Sequence, residues 1–192
     1  MRLFVALDID DVIRGRITRF LEGVRGFAPE ARWARPESLH VTLKFIGEKS
    51  EEMVEKIAGA LKEIEAPAFE MSFRSYGFFG GARAPRVFWV GIDGGPKLIS
   101  LAATVDEAMA RLEIPKEEHA FNPHLTLARG GAGSSRRKGD GPNRGFQHLQ
   151  EKLAARAAPE FGTMTAREFF LYRSQTSPSG SKYTKLAGFG LR

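Results

Sequence analysis

A chain of 192 residues is long enough for one globular domain, or for two small lobes that share a core. Hydrophobic residues make up 42% of the chain and charged residues 27%, so a packed core can form without lipid, and the absence of cysteine excludes disulfides, thiolate metal sites and cysteine nucleophiles. The 29 lysines and arginines exceed the 23 aspartates and glutamates, and the net charge of +6 favours a polyanionic partner without identifying one.

The first half of the chain alternates strand and helix patterns. Residues 3–7 form an apolar run that predicts a buried strand, and residues 12–24 carry apolar side chains at helical spacing. Residues 39–45 alternate between apolar and polar side chains, which predicts a half-buried strand with Phe45 packed on its apolar face. Ser50 is placed to cap a second helix. The order strand, helix, strand, helix follows.

The second half carries the patterns of five strands and two helices, in the order strand 69–78, strand 87–92, helix 98–112, strand 124–128, helix 147–157, strand 168–172 and strand 185–191. Glycine and proline in segment 80–85 predict a turn that makes the first two strands a hairpin. Residues 130–145 are rich in glycine, serine and basic side chains, and they predict a flexible basic surface loop.

Two tetrapeptides of the form His-x-Thr-Leu begin at His40 and His124, each on a predicted strand that follows a helix. Alternation along a strand places each histidine and its threonine, Thr42 or Thr126, on one face. This repetition indicates a duplication. We therefore predict an α+β fold with two pseudo-symmetric lobes, in which antiparallel-rich sheets surround a central cleft and helices pack outside, as a single domain over residues 1–192.

Two imidazoles and two hydroxyls in one cleft suit a cyclic phosphodiester. One histidine can act as a base and the other as an acid near neutral pH, while threonine hydroxyls bind the phosphate oxygens. The residues predict the pair but leave open which histidine is the acid. A metal site is disfavoured because no His-x-x-x-His pair occurs, and a serine triad because no Gly-x-Ser-x-Gly occurs. We expect neither metal nor cofactor.

The chain resembles the two-histidine phosphoesterases, specifically the LigT-like RNA 2′,3′-cyclic phosphodiesterases first described as 2′-5′ RNA ligases. The resemblance runs the whole length and is carried by residues 1–7, 32–48 and 121–129, together with Ser174, Gly180 and Tyr183.

This resemblance implies hydrolysis of RNA 2′,3′-cyclic phosphate ends to 2′-phosphates. It makes His40 the proton donor and His124 the proton acceptor, with Thr42 and Thr126 on the phosphate. It also implies that Arg129 binds the phosphate, which a planar guanidinium suits.

Two other functions stay open from the sequence. The first is ATP-independent 2′-5′ RNA ligation by the same four residues, which product analysis separates from hydrolysis. The second is a non-enzymatic RNA-binding module, which predicts that His40→Ala is harmless. Such a module would bind RNA phosphates through the basic residues of the loop, which are Arg136, Arg137, Lys138 and Arg144.

Several other residues are weaker candidates. Lys44 shares the predicted His40 face, or lies past the cleft rim in solvent, and has no assigned role. His119 and His148 lack the following threonine and are expected at the surface. Aromatic residues that can stack on bases but more typically form core are Trp33, Phe78, Phe79, Trp89 and Tyr183.

The start of the chain also bears on location. The N-terminal segment turns acidic after Leu7, where a signal peptide would continue as an apolar stretch. The apolar runs elsewhere are short and interrupted by charge. We therefore expect a cytoplasmic monomer that does not enter a membrane and whose partner is RNA with a 2′,3′-cyclic phosphate end.

Overall fold

The computed structural model describes residues 1–130, 143–177 and 180–192. Its strands are β1 (Arg2–Leu7), β2 (Arg32–Trp33), β3 (Val41–Glu48), β4 (Phe69–Gly81), β5 (Ala84–Asp93), β6 (His124–Arg129), β7 (Glu160–Ala166), β8 (Glu168–Ser177) and β9 (Gly180–Gly190). Its helices are α1 (Asp11–Val24), α2 (Glu51–Lys62), α3 (Gly95–Ala110) and α4 (Arg144–Ala154), with 3₁₀ turns at Arg25–Phe27 and Pro36–Ser38.

The strands form two antiparallel sheets, one per lobe. The first sheet has the order β3-β1-β8-β9 and the second the order β2-β6-β5-β4-β7. One face of each sheet packs on helices, and a single continuous hydrophobic core includes residues of both sheets and all four helices. The predicted α+β fold with two lobes and antiparallel sheets is confirmed.

Capping residues explain where the first two helices begin. The Asp10 side chain accepts a hydrogen bond of 2.8 Å from the backbone N–H of Ile13, and Ser50 does the same for Met53 at 3.4 Å. Such caps each stabilise a helix by about 1 kcal/mol. The buried face of α1 consists of Ile13, Ile17, Leu21 and Val24, in agreement with the predicted apolar spacing.

Several boundaries differ from the sequence prediction. The fourth helix begins at Arg144, because the Asn143 side chain caps it by accepting from the N–H of Phe146 at 3.1 Å. The predicted loop 130–145 is therefore wrong at its C-terminal end, while residues 131–142, including Arg136, Arg137 and Lys138, lie outside the described residues. Strands β2 and β7 were not predicted, and β8 and β9 are longer than expected.

Each His-x-Thr strand contains an extra residue at the same place. In the pairing of β1 with β3, Ala6 lies opposite Thr42 but Val5 lies opposite Lys44, so Leu43 is the extra residue. In the pairing of β5 with β6, Trp89 lies opposite Thr126 and Phe88 opposite Ala128, so Leu127 is the extra residue. Such a β-bulge turns the following residues over to the other face.

The bulges decide the positions of three side chains. Phe45, predicted to pack on the apolar face, is 58% exposed and lies on the Thr42 face. Lys44, predicted on the His40 face or in solvent, is 2% exposed on the opposite side. Arg129 is brought to the Thr126 face and is exposed. The predicted positions of Phe45 and Lys44 are both wrong, because the strict alternation of side chains between the two faces of β3 ends at the bulge.

Candidate active site

The His40 ring is oriented by the backbone just before β3. Its Nδ1 lies 2.7 Å from the carbonyl oxygen of Ser38, in the 3₁₀ turn. A carbonyl can only accept, so Nδ1 carries a proton and donates it. In the neutral ring this leaves the Nε2 lone pair free on the far side, and in the charged ring it leaves an Nε2–H that can be donated.

The His124 ring, at the start of β6, is held in the same way. Its Nδ1 donates to the carbonyl oxygen of Asn122 at 2.7 Å, so its Nε2 is free as well. The acceptor lies two residues before the histidine in both lobes. The duplication therefore extends from the motif to the contact that sets the ring orientation.

The predicted site residues are brought together between the lobes. β3 and β6 approach each other, although they belong to different sheets. The His124 ring is close enough for its positive charge to act on His40, and the charge of Arg129 acts on both rings. Thr42 and Thr126 are both partly buried, each two residues after its histidine.

Aromatic rings surround His40. The centroid of the Phe4 ring lies 4.8 Å from that of the imidazole, and Tyr183 makes an edge contact at 5.1 Å. Tyr172 stacks on Phe4 with a centroid distance of 5.0 Å, and its ring centroid lies 6.2 Å from that of His40. These rings exclude water from one side of the histidine.

His124 has its own aromatic neighbours, Phe79 and Trp89. Phe79 meets the imidazole edge to face at 4.8 Å, and the Trp89 ring lies at 6.4 Å. The indole of Trp89 covers Gly77 so closely that a Cβ there would lie 2.2 Å from it. Each histidine is thus shielded by aromatic side chains of its own lobe.

This shielding has an electrostatic consequence. Burial lowers the pKa of His40 and of His124 below the usual value for histidine, since the charged ring loses solvation. The hydrogen bonds to the Ser38 and Asn122 carbonyls oppose this shift, and Arg129 adds to it. Both imidazoles therefore favour the neutral form in the free protein.

The remaining candidates separate into two groups. Phe79, Trp89 and Tyr183 line the site, whereas Phe78 packs on Phe88 and Phe146 in the core, and Trp33 packs on Phe88. His119 and His148 are exposed, as predicted.

Sequence reasoning missed Phe4 and Tyr172 as neighbours of His40, and it missed Asp8, whose charge acts on the ring. Phe4 and Tyr172 read only as parts of predicted strands. Asp8 read only as part of the acidic cluster before α1. Within the described ranges, no three histidine, aspartate or glutamate side chains are grouped as a metal site.

The sequence profile of the LigT like Phosphoesterase family matches the chain twice, over residues 7–89 and 90–183. Each match contains one of the two His-x-Thr motifs, in agreement with the duplication. The chain belongs to this family of two-histidine phosphoesterases.

Full-length relatives agree with this assignment. An RNA 2′,3′-cyclic phosphodiesterase of Archaeoglobus fulgidus is 33% identical over 98% of this chain and 99% of its own. One from Thermus thermophilus is 32% identical over 100% of this chain and 91% of its own. The crystal structure of E. coli LigT complexed with 3′-AMP matches with a TM-score of 0.77 at 28% identity, over 99% of this chain and 97% of that one.

Proposed function

We propose that the protein hydrolyses RNA 2′,3′-cyclic phosphate ends to 2′-phosphates without a metal ion. The observation that carries the proposal is the pair of imidazoles held by equivalent Nδ1–H to carbonyl bonds, with no partner for either Nε2 among the described residues and with the charge of Arg129 acting on both rings. Two rings so arranged can take a proton from one oxygen and give a proton to another on the same phosphate. The two full-length relatives described above are named RNA 2′,3′-cyclic phosphodiesterases, which supports the proposal.

In the proposed reaction, His124 Nε2 removes a proton from water as the water oxygen attacks phosphorus. The bond from phosphorus to O3′ breaks, and His40 Nε2–H gives its proton to O3′. The product carries a 2′-phosphate and a 3′-hydroxyl, and the two histidines have exchanged protonation states. Atoms and charges balance without a further reactant.

The threonines and the arginine would act on charge that builds during attack. Hydroxyl groups of Thr42 and Thr126 can donate to the non-bridging oxygens, and Arg129 can bind them with two parallel N–H bonds. Because the site is partly buried, each of these bonds is stronger than it would be in water.

The test is an RNA oligonucleotide that ends in a 2′,3′-cyclic phosphate, incubated with the protein and EDTA. We expect a product that is heavier than the substrate by one water and that ends in a 2′-phosphate. A 3′-phosphate would overturn the choice of O3′ as leaving group. Loss of activity in EDTA that zinc or manganese restores would overturn the metal-free mechanism.

The same assay separates hydrolysis from the two alternatives. Addition of an RNA with a 5′-hydroxyl end would give 2′-5′-linked products in excess of hydrolysis if ligation were the main reaction. Binding of RNA without any change in the cyclic end, and unaffected by His40→Ala, would indicate a binding module.

The charge and the packing of the chain bear on its partner, location and assembly. The basic net charge of +6 suits an RNA substrate. None of the helices in the described part of the chain is long and apolar enough to cross a membrane. We propose a cytoplasmic monomer in which the chain forms one domain, since one core joins both sheets. Sedimentation analysis at micromolar concentration tests the monomer.

A further inference from the structure

The carboxylate of Asp8 lies at the end of β1 and binds two cations. Its Oδ1 accepts from Arg14 Nη2 at 2.6 Å, and its Oδ2 accepts from Lys185 Nζ at 2.5 Å. The backbone N–H of Ile9 adds a third bond at 2.9 Å. Burial alone would raise the pKa of the Asp8 carboxyl, but these partners together lower it, so the group is ionised at neutral pH.

Arg14 connects this carboxylate to the segment that orients His40. Its Nη1 donates to the carbonyl of Pro36 at 2.5 Å and has a longer contact of 3.5 Å with the carbonyl of Leu39. Pro36 begins the 3₁₀ turn whose last residue, Ser38, accepts the hydrogen bond from His40. Asp8 therefore holds Arg14, Arg14 holds the turn, and the turn holds the imidazole.

Asp8 also acts on His40 by charge. The charged groups that act on this ring are the Asp8 carboxylate, which favours the protonated ring, and Arg129 and protonated His124, which disfavour it. Its aromatic neighbours are Phe4, Tyr172 and Tyr183. Burial raises the pKa of Tyr172 above the ordinary value for tyrosine, so this phenol is neutral and adds no charge.

The second lobe lacks this arrangement within the described residues. The charged side chain that acts on His124 there is Arg129, which disfavours the protonated ring. The carbonyl contact is duplicated, but the carboxylate is not. The two histidines thus differ in their electrostatic surroundings although their geometry is the same.

We propose that Asp8 is the positioning residue that fits His40 for the role of acid, by holding its ring through Arg14 and by stabilising its proton. The inference rests on the proposed function, since it requires that the two histidines act as acid and base. The Asp8 carboxylate makes the electrostatic surroundings of His40 differ from those of His124, which the two equivalent His-x-Thr motifs alone do not do.

The pH profile of kcat/KM separates this role from a merely structural one. At pH values above both histidine pKa values, kcat/KM is proportional to the small fraction of enzyme in which the acid is protonated. Below both values, it depends only on the fraction in which the base is neutral. A lower pKa of His40 therefore reduces kcat/KM on the alkaline side and leaves the acidic side unchanged.

The test compares Asp8→Asn, which removes the charge at constant size, with Asp8→Glu, which keeps the charge. We expect Asp8→Asn to lower kcat/KM about 3- to 10-fold on the alkaline side only. The kcat/KM of Asp8→Glu on that side should be higher than that of Asp8→Asn. Asp11→Asn is the control, because Asp11 also contacts Arg14, at 3.8 Å, but is fully exposed. It should change neither side of the profile.

Three outcomes would overturn the inference. An equal loss by Asp8→Asn at every pH would indicate only a packing role. A rise on the acidic side would mean that His40 is the base. An unchanged profile would mean that Asp8 does not act on His40. In each case the cyclic phosphate is still opened, whereas failure of the proposed function itself would appear as no opening by the wild-type protein.

A second variant keeps the inference testable if Asp8→Asn does not fold. Lys185→Gln removes an exposed positive charge and can still donate to Asp8, so the carboxylate acts on His40 with less compensation. We expect its kcat/KM on the alkaline side to rise. A fall there, with the acidic side unchanged, would contradict the proposed direction of the charge effect.

Discussion

The imidazoles of His40 and His124 are each fixed by one backbone carbonyl, so replacing either ring leaves the strand that carries it in place. We expect His40→Ala and His124→Ala each to lower turnover by about 10²–10⁴-fold, the usual effect of removing one positioned acid or base. The double variant should fall well short of the product of the two effects, because both groups act in one transition state. His119→Ala, at an exposed histidine, is the control and should be fully active.

Removal of either threonine should cost less. Thr42→Ala and Thr126→Ala each delete one hydrogen bond to a developing charge while the neighbouring donors remain, so we expect a loss of about tenfold in kcat. Steady-state kinetics on the cyclic-phosphate RNA measures it. A loss as large as that of the histidine variants would show that the hydroxyl takes part in proton transfer.

The roles of the two histidines can be separated chemically. An RNA analogue whose 3′ leaving group needs no protonation should restore activity to His40→Ala, because that variant lacks only the acid. It should not restore activity to His124→Ala, which lacks the base. Rescue of His124→Ala instead would exchange the roles.

The pH dependence follows from burial of both rings. Burial lowers the pKa of His40 and His124. In the free enzyme each imidazolium ring therefore loses its extra proton at a pH below the usual histidine pKa of about 6.5. We expect kcat/KM to fall as the pH rises through 6.5, because it reports the free enzyme. The kcat profile should lie at higher pH, since a bound phosphate anion stabilises both cations. A flat kcat/KM up to pH 8 would contradict this.

At the scale of elements, the bulge in β3 buries a lysine. Lys44 Nζ bonds to the Pro115 carbonyl at 2.6 Å and to the carboxylates of Asp106 at 2.7 Å and Glu117 at 3.3 Å. These contacts tie β3 to α3 and to the segment that leads toward β6.

Loss of this lysine should destabilise the fold. We expect Lys44→Met to lower the free energy of unfolding by about 1–3 kcal/mol, because it leaves the Pro115 carbonyl and the partly buried Asp106 carboxylate without their donor. Urea denaturation measures the change. Lys116→Met is the matched control, since Lys116 and Glu107 form an exposed pair that solvent screens, and it should cost much less than Lys44→Met. Equal effects of the two variants would contradict the argument.

The same bulge presents Phe45 at the cleft. Its ring centroid lies 6.2 Å from that of Phe4, which in turn contacts His40. An exposed aromatic face beside the proposed phosphate site suits stacking on a base, which is worth about 1–3 kcal/mol. We expect Phe45→Ala to raise KM about 5- to 100-fold with a smaller effect on kcat. Ile99→Ala, at another exposed apolar residue, should leave KM unchanged.

These bulges mark how far sequence reasoning reaches here. The first helix and the two His-x-Thr strands could be predicted, because hydrophobic periodicity is a local property. The faces of Lys44 and Phe45 could not, since nothing in the residue types at Leu43 indicates that it is the extra residue. The role of Asp8 was equally hidden, because its contact with Lys185 joins opposite ends of the chain.

At the scale of the whole molecule, the first sheet is assembled from both ends of the chain. β1 lies between β3 and β8, and β9 completes the sheet beyond β8. We expect a variant that ends at Ala166 not to fold, because β1 loses one partner and the core loses Phe169 and Leu171, which are fully buried. Circular dichroism with thermal denaturation measures this. A cooperative transition in the truncated chain would contradict it.

This arrangement sets an order of events on the ribosome. While the chain is being made, β1 and β3 can pair, but the other edge of β1 has no partner until β8 emerges, long after β3. Strand edges left open in this way are the surfaces through which nascent chains aggregate. Tyr183, which covers His40, lies still later, on β9. The nascent protein therefore has both His-x-Thr motifs well before it has a shielded His40, and activity is expected only after β9 has emerged and joined the sheet.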